Sequence, residues 1–134
     1  MTVFKKFIGI LFSIYAFATF IILMLVLFPF VIIASFFGKV KGGNMIYSIC
    51  RLWADIALFM WGMRHKNIYE APKAKDHAVV YVFNHISYMD IPPLVLIAHQ
   101  PIRILGKYEM VKIPVFGWIY RAAVVLVNRK NAAT

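Results

Sequence analysis

With 134 residues, 63% of them apolar, and a mean hydropathy of +0.78, the chain is too apolar for an ordinary soluble domain, which lies nearer half. Fifteen Lys and Arg against five acids give +10, which calls for an anionic partner such as nucleic acid, a membrane surface or an anionic substrate. The apolar bulk favours the last two, and the lone Cys50 excludes an intrachain disulfide and a cysteine-based metal cluster.

Residues Phe7 to Phe37 carry no charge, with Lys5 and Lys6 before them and Lys39 and Lys41 after. This is longer than a signal-peptide core and lacks its small-residue cleavage site, so it reads as a retained membrane anchor. As one helix it would measure about 46 Å against a hydrocarbon core of ~30 Å, so it must tilt, extend past the interface or bend. Pro29 is the expected place to bend. Lysines at both ends leave orientation open, and a single tilted span and a re-entrant hairpin both fit.

Gly38, Gly42 and Gly43 are expected to break that helix. From Asn44 to Met63, the residues Asn44, Ser48, Arg51, Asp55 and Gly62 make a narrow polar stripe on a broad apolar helix. Arg51 and Asp55 lie one turn apart and can pair. The segment fits a helix packed on the first or lying in the membrane interface, with a core helix of the soluble part as the alternative. Cys50, among Ile49, Leu52 and Trp53, reads as a buried, inert thiol.

The character changes at Arg64, dividing a membrane part (1–64) from a following domain (65–134). His65 to Glu70 is a candidate edge strand, and Ala71 to His77 a polar connector. Three short apolar runs follow: Ala78–Phe83, Ile102–Leu105 and Ala123–Val127. Helix-length segments, Asp90–His99 and Tyr108–Arg121, separate them. Continuous apolar strands alternating with helices imply an α/β fold whose partial, mainly parallel sheet is covered by helices. A last parallel strand ending at Val127 normally needs a further covering element, so the chain is expected to be the N-terminal part of a longer protein.

The chemistry is concentrated in Asn84-His85-Ile86-Ser87-Tyr88-Met89-Asp90, between an apolar strand and a helix. Five positions apart on one helix, His85 and Asp90 would diverge by roughly 140°, so they meet only across a strand-to-helix corner. There the carboxylate can hold one imidazole nitrogen and leave the other as a general base. A structural reading stands beside this one. Ser87-x-x-Asp90 matches a capping box, although Pro92 and Pro93 move the helix start towards Asp90. His65, His77 and His99 read as surface or structural residues, and no metal-ligand spacing occurs.

Asn84-His85-x-x-x-x-Asp90 behind a membrane anchor resembles the glycerolipid acyltransferases, most closely the 1-acyl-sn-glycerol-3-phosphate branch. Lys107-Tyr108-Glu109-Met110-Val111-Lys112-Ile113-Pro114-Val115-Phe116-Gly117-Trp118 resembles that family's Lys-x-Glu-Leu-x-x-Ile-Pro-x-x-Gly-Trp segment, with Met110 in place of leucine. Val125-Leu126-Val127-Asn128-Arg129 resembles its second block, with Asn128 where aspartate is common. The family's third block, Phe-Pro-Glu-Gly-Thr-Arg, has no counterpart in these 134 residues.

The resemblance implies acyl transfer from acyl-CoA or acyl-carrier protein to lysophosphatidic acid, without cofactor or metal, at a cell membrane with the site on the cytoplasmic side. It makes His85 the base and Asp90 its orienter. Arg129 and Lys107 become candidates for the acceptor phosphate, with Asn84 beside them, while Pro114 and Gly117 shape the loop. Membrane lipids are the other expected partners and nucleic acid is not one. The alternative is a non-enzymatic membrane protein whose basic face binds anionic lipids.

Overall fold

A helix of 34 residues, α1 (Thr2–Ser35), opens the chain; at about 1.5 Å per residue it runs roughly 51 Å. The computed structural model describes residues 2–70, 79–84, 87–98 and 100–128. Among these, α1 is the one helix long and apolar enough to cross a membrane. Pro29 lies inside the continuous helix, so the expected bend comes later. The chain reverses at Gly38, whose φ of 81° suits a residue without Cβ, and passes through a π turn, Gly38–Gly42. Gly42 and Gly43 do not break the next helix but lead into it, as α2 (Gly43–Met60, 18 residues).

α2 packs antiparallel to α1. Near one end the Tyr15 hydroxyl donates to the Met60 carbonyl (2.9 Å), and the Trp61 indole N–H donates to Thr19 Oγ1 (2.8 Å). Near the other, Val31 and Ala34 of α1 bury against Ile46. Thr19 is itself bonded to its own helix, at Tyr15 and Ala16 carbonyls, so the buried hydroxyl is fully used. Ala34, Ala54 and Ala57 are wholly buried, the small side chains that let helices approach closely. α2 is only about 27 Å long. The first turns of α1, Val3 to Ile14, therefore project beyond it with every residue exposed.

The opposite face of α2 carries the rest of the chain. A 3-10 turn, Tyr88–Asp90, leads into α3 (Ile91–Ile97). Val95, Leu96 and Ala98 bury with Tyr47, Ala54, Ala57, Leu58 and Trp61 in the main core. α2 is thus both the partner of α1 and a core helix of the following domain, and its polar stripe is spent on that second role. Arg51 turns to the Ala98 carbonyl (3.5 Å) rather than to Asp55, and Asn44 accepts from Arg103 (3.2 Å).

Strands β1 (Ile104–Lys107) and β2 (Val124–Val127) pair in parallel, Ile104 opposite Val124 through Lys107 opposite Val127. Their crossover holds a 3-10 turn, Tyr108–Lys112, and α4 (Phe116–Ala123), so the expected single helix over 108–121 is split. The split has a local cause. Phe116 N–H closes on the Pro114 carbonyl (2.6 Å) with Val115 at φ 61°, ψ −57°, a γ-turn of the strained hand on a β-branched residue. Gly117 then comes so close to the Val111 backbone that a Cβ would collide with its carbonyl.

Two expected strands form no ladder among the described residues. His65 to Glu70 is irregular; Asn67 and Tyr69 there serve as side-chain donors to the Leu96 and Ile97 carbonyls. Val79 to Phe83 of the first apolar run is extended enough to stack Tyr81 on Phe83. Val80 and Val82, on the other side, are 87% and 90% exposed. Apolar character reports a preference for burial and not a pairing partner.

Gly117→Ala should destabilise the protein by about 1–3 kcal/mol, because backbone rather than a flexible side chain blocks the new Cβ. Val115→Gly should be neutral or stabilising by up to about 1 kcal/mol despite the lost isopropyl group, since it relieves the γ-turn. Denaturant titration in detergent micelles reads both; stabilities in the reverse order would refute this account of the loop.

Candidate active site at the carboxyl edge of the sheet

The strand-to-helix corner is held by its own backbone. Asp90 N–H donates to the Ser87 carbonyl (3.1 Å), Met89 N–H to Ser87 Oγ (3.2 Å), and Ser87 N–H to Asp90 Oδ2 (2.9 Å). The capping-box reading of Ser87 and Asp90 is therefore realised, with the carboxylate reaching back. The helix start moves as the prolines required: Asp90 is the residue before α3, and Pro92 and Pro93 fill its first turn.

The prolines have a second effect. A residue in Asp90's position ordinarily caps forward, accepting from the N–H groups two and three residues on. Here those residues are Pro92 and Pro93, which have no N–H. Forward capping is closed to Asp90, so its carboxylate turns towards the corner that follows Asn84 and His85. Asn84 is exposed beside that corner. His85 lies outside the described residues, and so does Arg129.

The far end of α3 fixes the corner against the core. Its last carbonyls have no partner within the helix. Tyr47 Oη donates to Val95 (2.8 Å) and lies 3.3 Å from the Ala98 carbonyl, while Asn67 and Tyr69 donate to Leu96 (3.4 Å) and Ile97 (2.7 Å). Burial pushes the Tyr47 phenol up from its ordinary value, with Arg51 opposing, so it stays a donor.

Lys107 ends β1 opposite Val127, exposed at the carboxyl edge of the parallel pair; Arg129 follows Val127 by two residues in sequence. A region 52–134 matches the family model described as Acyltransferase, a span that contains the corner, both strands and α4. The chain belongs to the acyltransferase family. It is 30% identical over 98 residues to a chloroplastic 1-acyl-sn-glycerol-3-phosphate acyltransferase of Brassica napus, covering 73% of this chain and 27% of that protein. It is also 30% identical over 102 residues to one of Arabidopsis thaliana, covering 75% and 27%. The chain thus spans about a quarter of the length of the curated relatives it matches. No solved structure gives a significant match.

Among the described residues no group of His, Cys, Asp and Glu is arranged to hold a metal ion. The cavities lie elsewhere, at the amino end of the strands. One of about 520 Å³ is lined by Lys39, Arg103 and Arg121, and a second of about 480 Å³ by Trp118 and Arg121. These arginines were not singled out from sequence, although a signal existed: Arg103 immediately precedes β1, and Arg121 sits in the last turn before β2.

Burial pushes the Cys50 thiol up from 9.0 to about 11. A raised acid favours the neutral folded form, so this group leaves stability untouched below pH 9.0 and weakens it as pH climbs towards about 11. At pH 8 its thiolate fraction should be roughly a hundredfold below that of an ordinary cysteine. Iodoacetamide labelling of the folded protein should slow accordingly and recover on unfolding; labelling at the free-thiol rate would refute the burial.

Proposed function

We propose that the protein transfers a fatty acyl group from acyl-CoA or acyl-carrier protein to the free hydroxyl of 1-acyl-glycerol-3-phosphate, giving phosphatidic acid. The observation that carries this reading is membership of the acyltransferase family across residues 52–134. The relatives' printed names supply the acceptor.

In the proposed reaction His85 takes the proton of the acceptor hydroxyl, and the oxygen attacks the thioester carbonyl. The tetrahedral intermediate collapses with expulsion of the thiolate, which recovers the proton from the imidazolium. Asp90 orients the imidazole and offsets its charge. This assignment is supported by the backward-turned carboxylate and by the prolines that deny it a forward cap. Lys107 and Arg129 bind the acceptor phosphate, Arg129 through its two-pronged guanidinium, and Asn84 contributes alongside. Support for Lys107 is its place at the carboxyl edge, where open α/β sheets take their ligands. α1, with its exposed apolar length, supports membrane association; a cell membrane with the site facing the cytoplasm, where both thioester donors occur, belongs to the same proposal.

The full-length protein in mixed micelles, given radiolabelled acyl-CoA and lysophosphatidic acid, should form labelled phosphatidic acid. His85→Ala should lower turnover by about 10²–10⁴-fold, the usual worth of a general base. Arg129→Gln should act mainly on KM for the acceptor. Full activity in the His85 variant would end the mechanism, and transfer to an acceptor lacking phosphate with equal efficiency would end the role of the cations.

A further inference from the structure

The candidate acceptor cations follow the two strands, yet cations also precede them. Arg103 stands before β1 and Arg121 before β2, and both line the 520 Å³ cavity with Lys39 of the π turn. Three positive charges from three separate elements thus converge on one groove, and no Asp or Glu lines it. Arg121 is exposed and has no hydrogen-bond or ionic partner among the described residues.

Arg103 is seated rather than loose. One of its nitrogens donates to Asn44 Oδ1 (3.2 Å) and another to the Ile102 carbonyl (3.1 Å). Its guanidinium lies against Gly43, where any Cβ would collide with it. A guanidinium has five N–H donors, so these two bonds fix its plane and leave others for a ligand. Planar, fixed donors beside a second arginine match a phosphate.

The depth of the groove narrows the ligand further. Lys39 and Lys41 end the uncharged run, and each would cost about 3 kcal/mol in the hydrocarbon centre. Phe36 and Val40, which alternate with them, are 83% and 73% exposed. A bend that sinks aromatic and aliphatic side chains while raising lysines sits at the headgroup layer, whether α1 crosses the bilayer or lies along it.

We propose that this groove binds the phosphate of an anionic glycerophospholipid headgroup, as a site separate from the candidate catalytic edge. From Arg103 to Lys107 the strand advances about 13 Å, so the two sets of cations stand at opposite ends of the sheet. The inference does not depend on the acyl-transfer reading.

The test is native mass spectrometry of the full-length protein in uncharged detergent, with phosphatidylglycerol, phosphatidylcholine or inorganic phosphate added. One phosphatidylglycerol should be retained in preference to phosphatidylcholine. Arg121→Gln should weaken it by about fivefold, as removal of one headgroup-level cation implies. Lys66→Gln, an equal loss of charge at an exposed residue outside the groove, should change it by less than about twofold. Arg121 supports no other contact, so its variant tests the groove without disturbing the fold. Survival of the lipid adduct in millimolar inorganic phosphate supports the headgroup as ligand; displacement supports the same phosphate site and assigns it to the free anion. Equal weakening in both variants, or equal retention of the two lipids, would overturn the proposal.

Discussion

The structure depends on how the carboxyl end of one short helix is satisfied. Seven residues of α3 leave nearly all of its carbonyls without partners inside the helix, and the corner before it carries the candidate chemistry. Tyr47 and Arg51 of α2, with Asn67 and Tyr69 just beyond, supply the missing donors. Because α2 is also stapled to α1, the same set of bonds ties the apolar anchor to the Ser87–Asp90 corner. Among the described residues no buried side-chain nitrogen or oxygen is left without a partner. Removing the Tyr47 hydroxyl would leave buried carbonyls unpaired, at about 1–3 kcal/mol each.

That dual role of α2 explains where sequence reading stopped. A polar stripe of Asn44, Ser48, Arg51 and Asp55 says that one face meets something polar, and a neighbouring turn of the same helix is the nearest candidate. The actual partners, Ala98 and Arg103, are about fifty residues away and are backbone or loop, which no periodicity reveals. The break after Phe37 was legible because Gly38 marks it. Pro29 misled, because a long helix can continue through the loss of one donor.

The site was legible to a different degree at each residue. The parallel strands and the place of Lys107 at their carboxyl edge came from alternating apolar and helical runs. Asp90 carried two readings, a cap and an orienter, and the double proline reconciles them: the capping bond runs backward and the carboxylate stays at the corner. The strand pairing of Val79 to Phe83 was not legible, since side-chain character says nothing about which neighbour offers the hydrogen bonds. The γ-turn at Val115 was hidden for a related reason: a β-branched residue is the last that local preference would put at positive φ.

The staple between Thr19 and Trp61 also has a bearing on time. Every contact that sets the register of α1 on α2, from Tyr15–Met60 to Ala34–Ile46, lies within the first 61 residues to leave the ribosome. The hairpin can therefore be finished while the residues of α3, β1 and β2 are still unmade, and synthesis proceeds from that end. What then emerges meets a helix face already fixed, with Tyr47 and Arg51 presented at their final spacing. The anchor is in this sense a mould as well as an attachment, and an insertion that slipped α1 against α2 by one turn would be copied into the corner that follows.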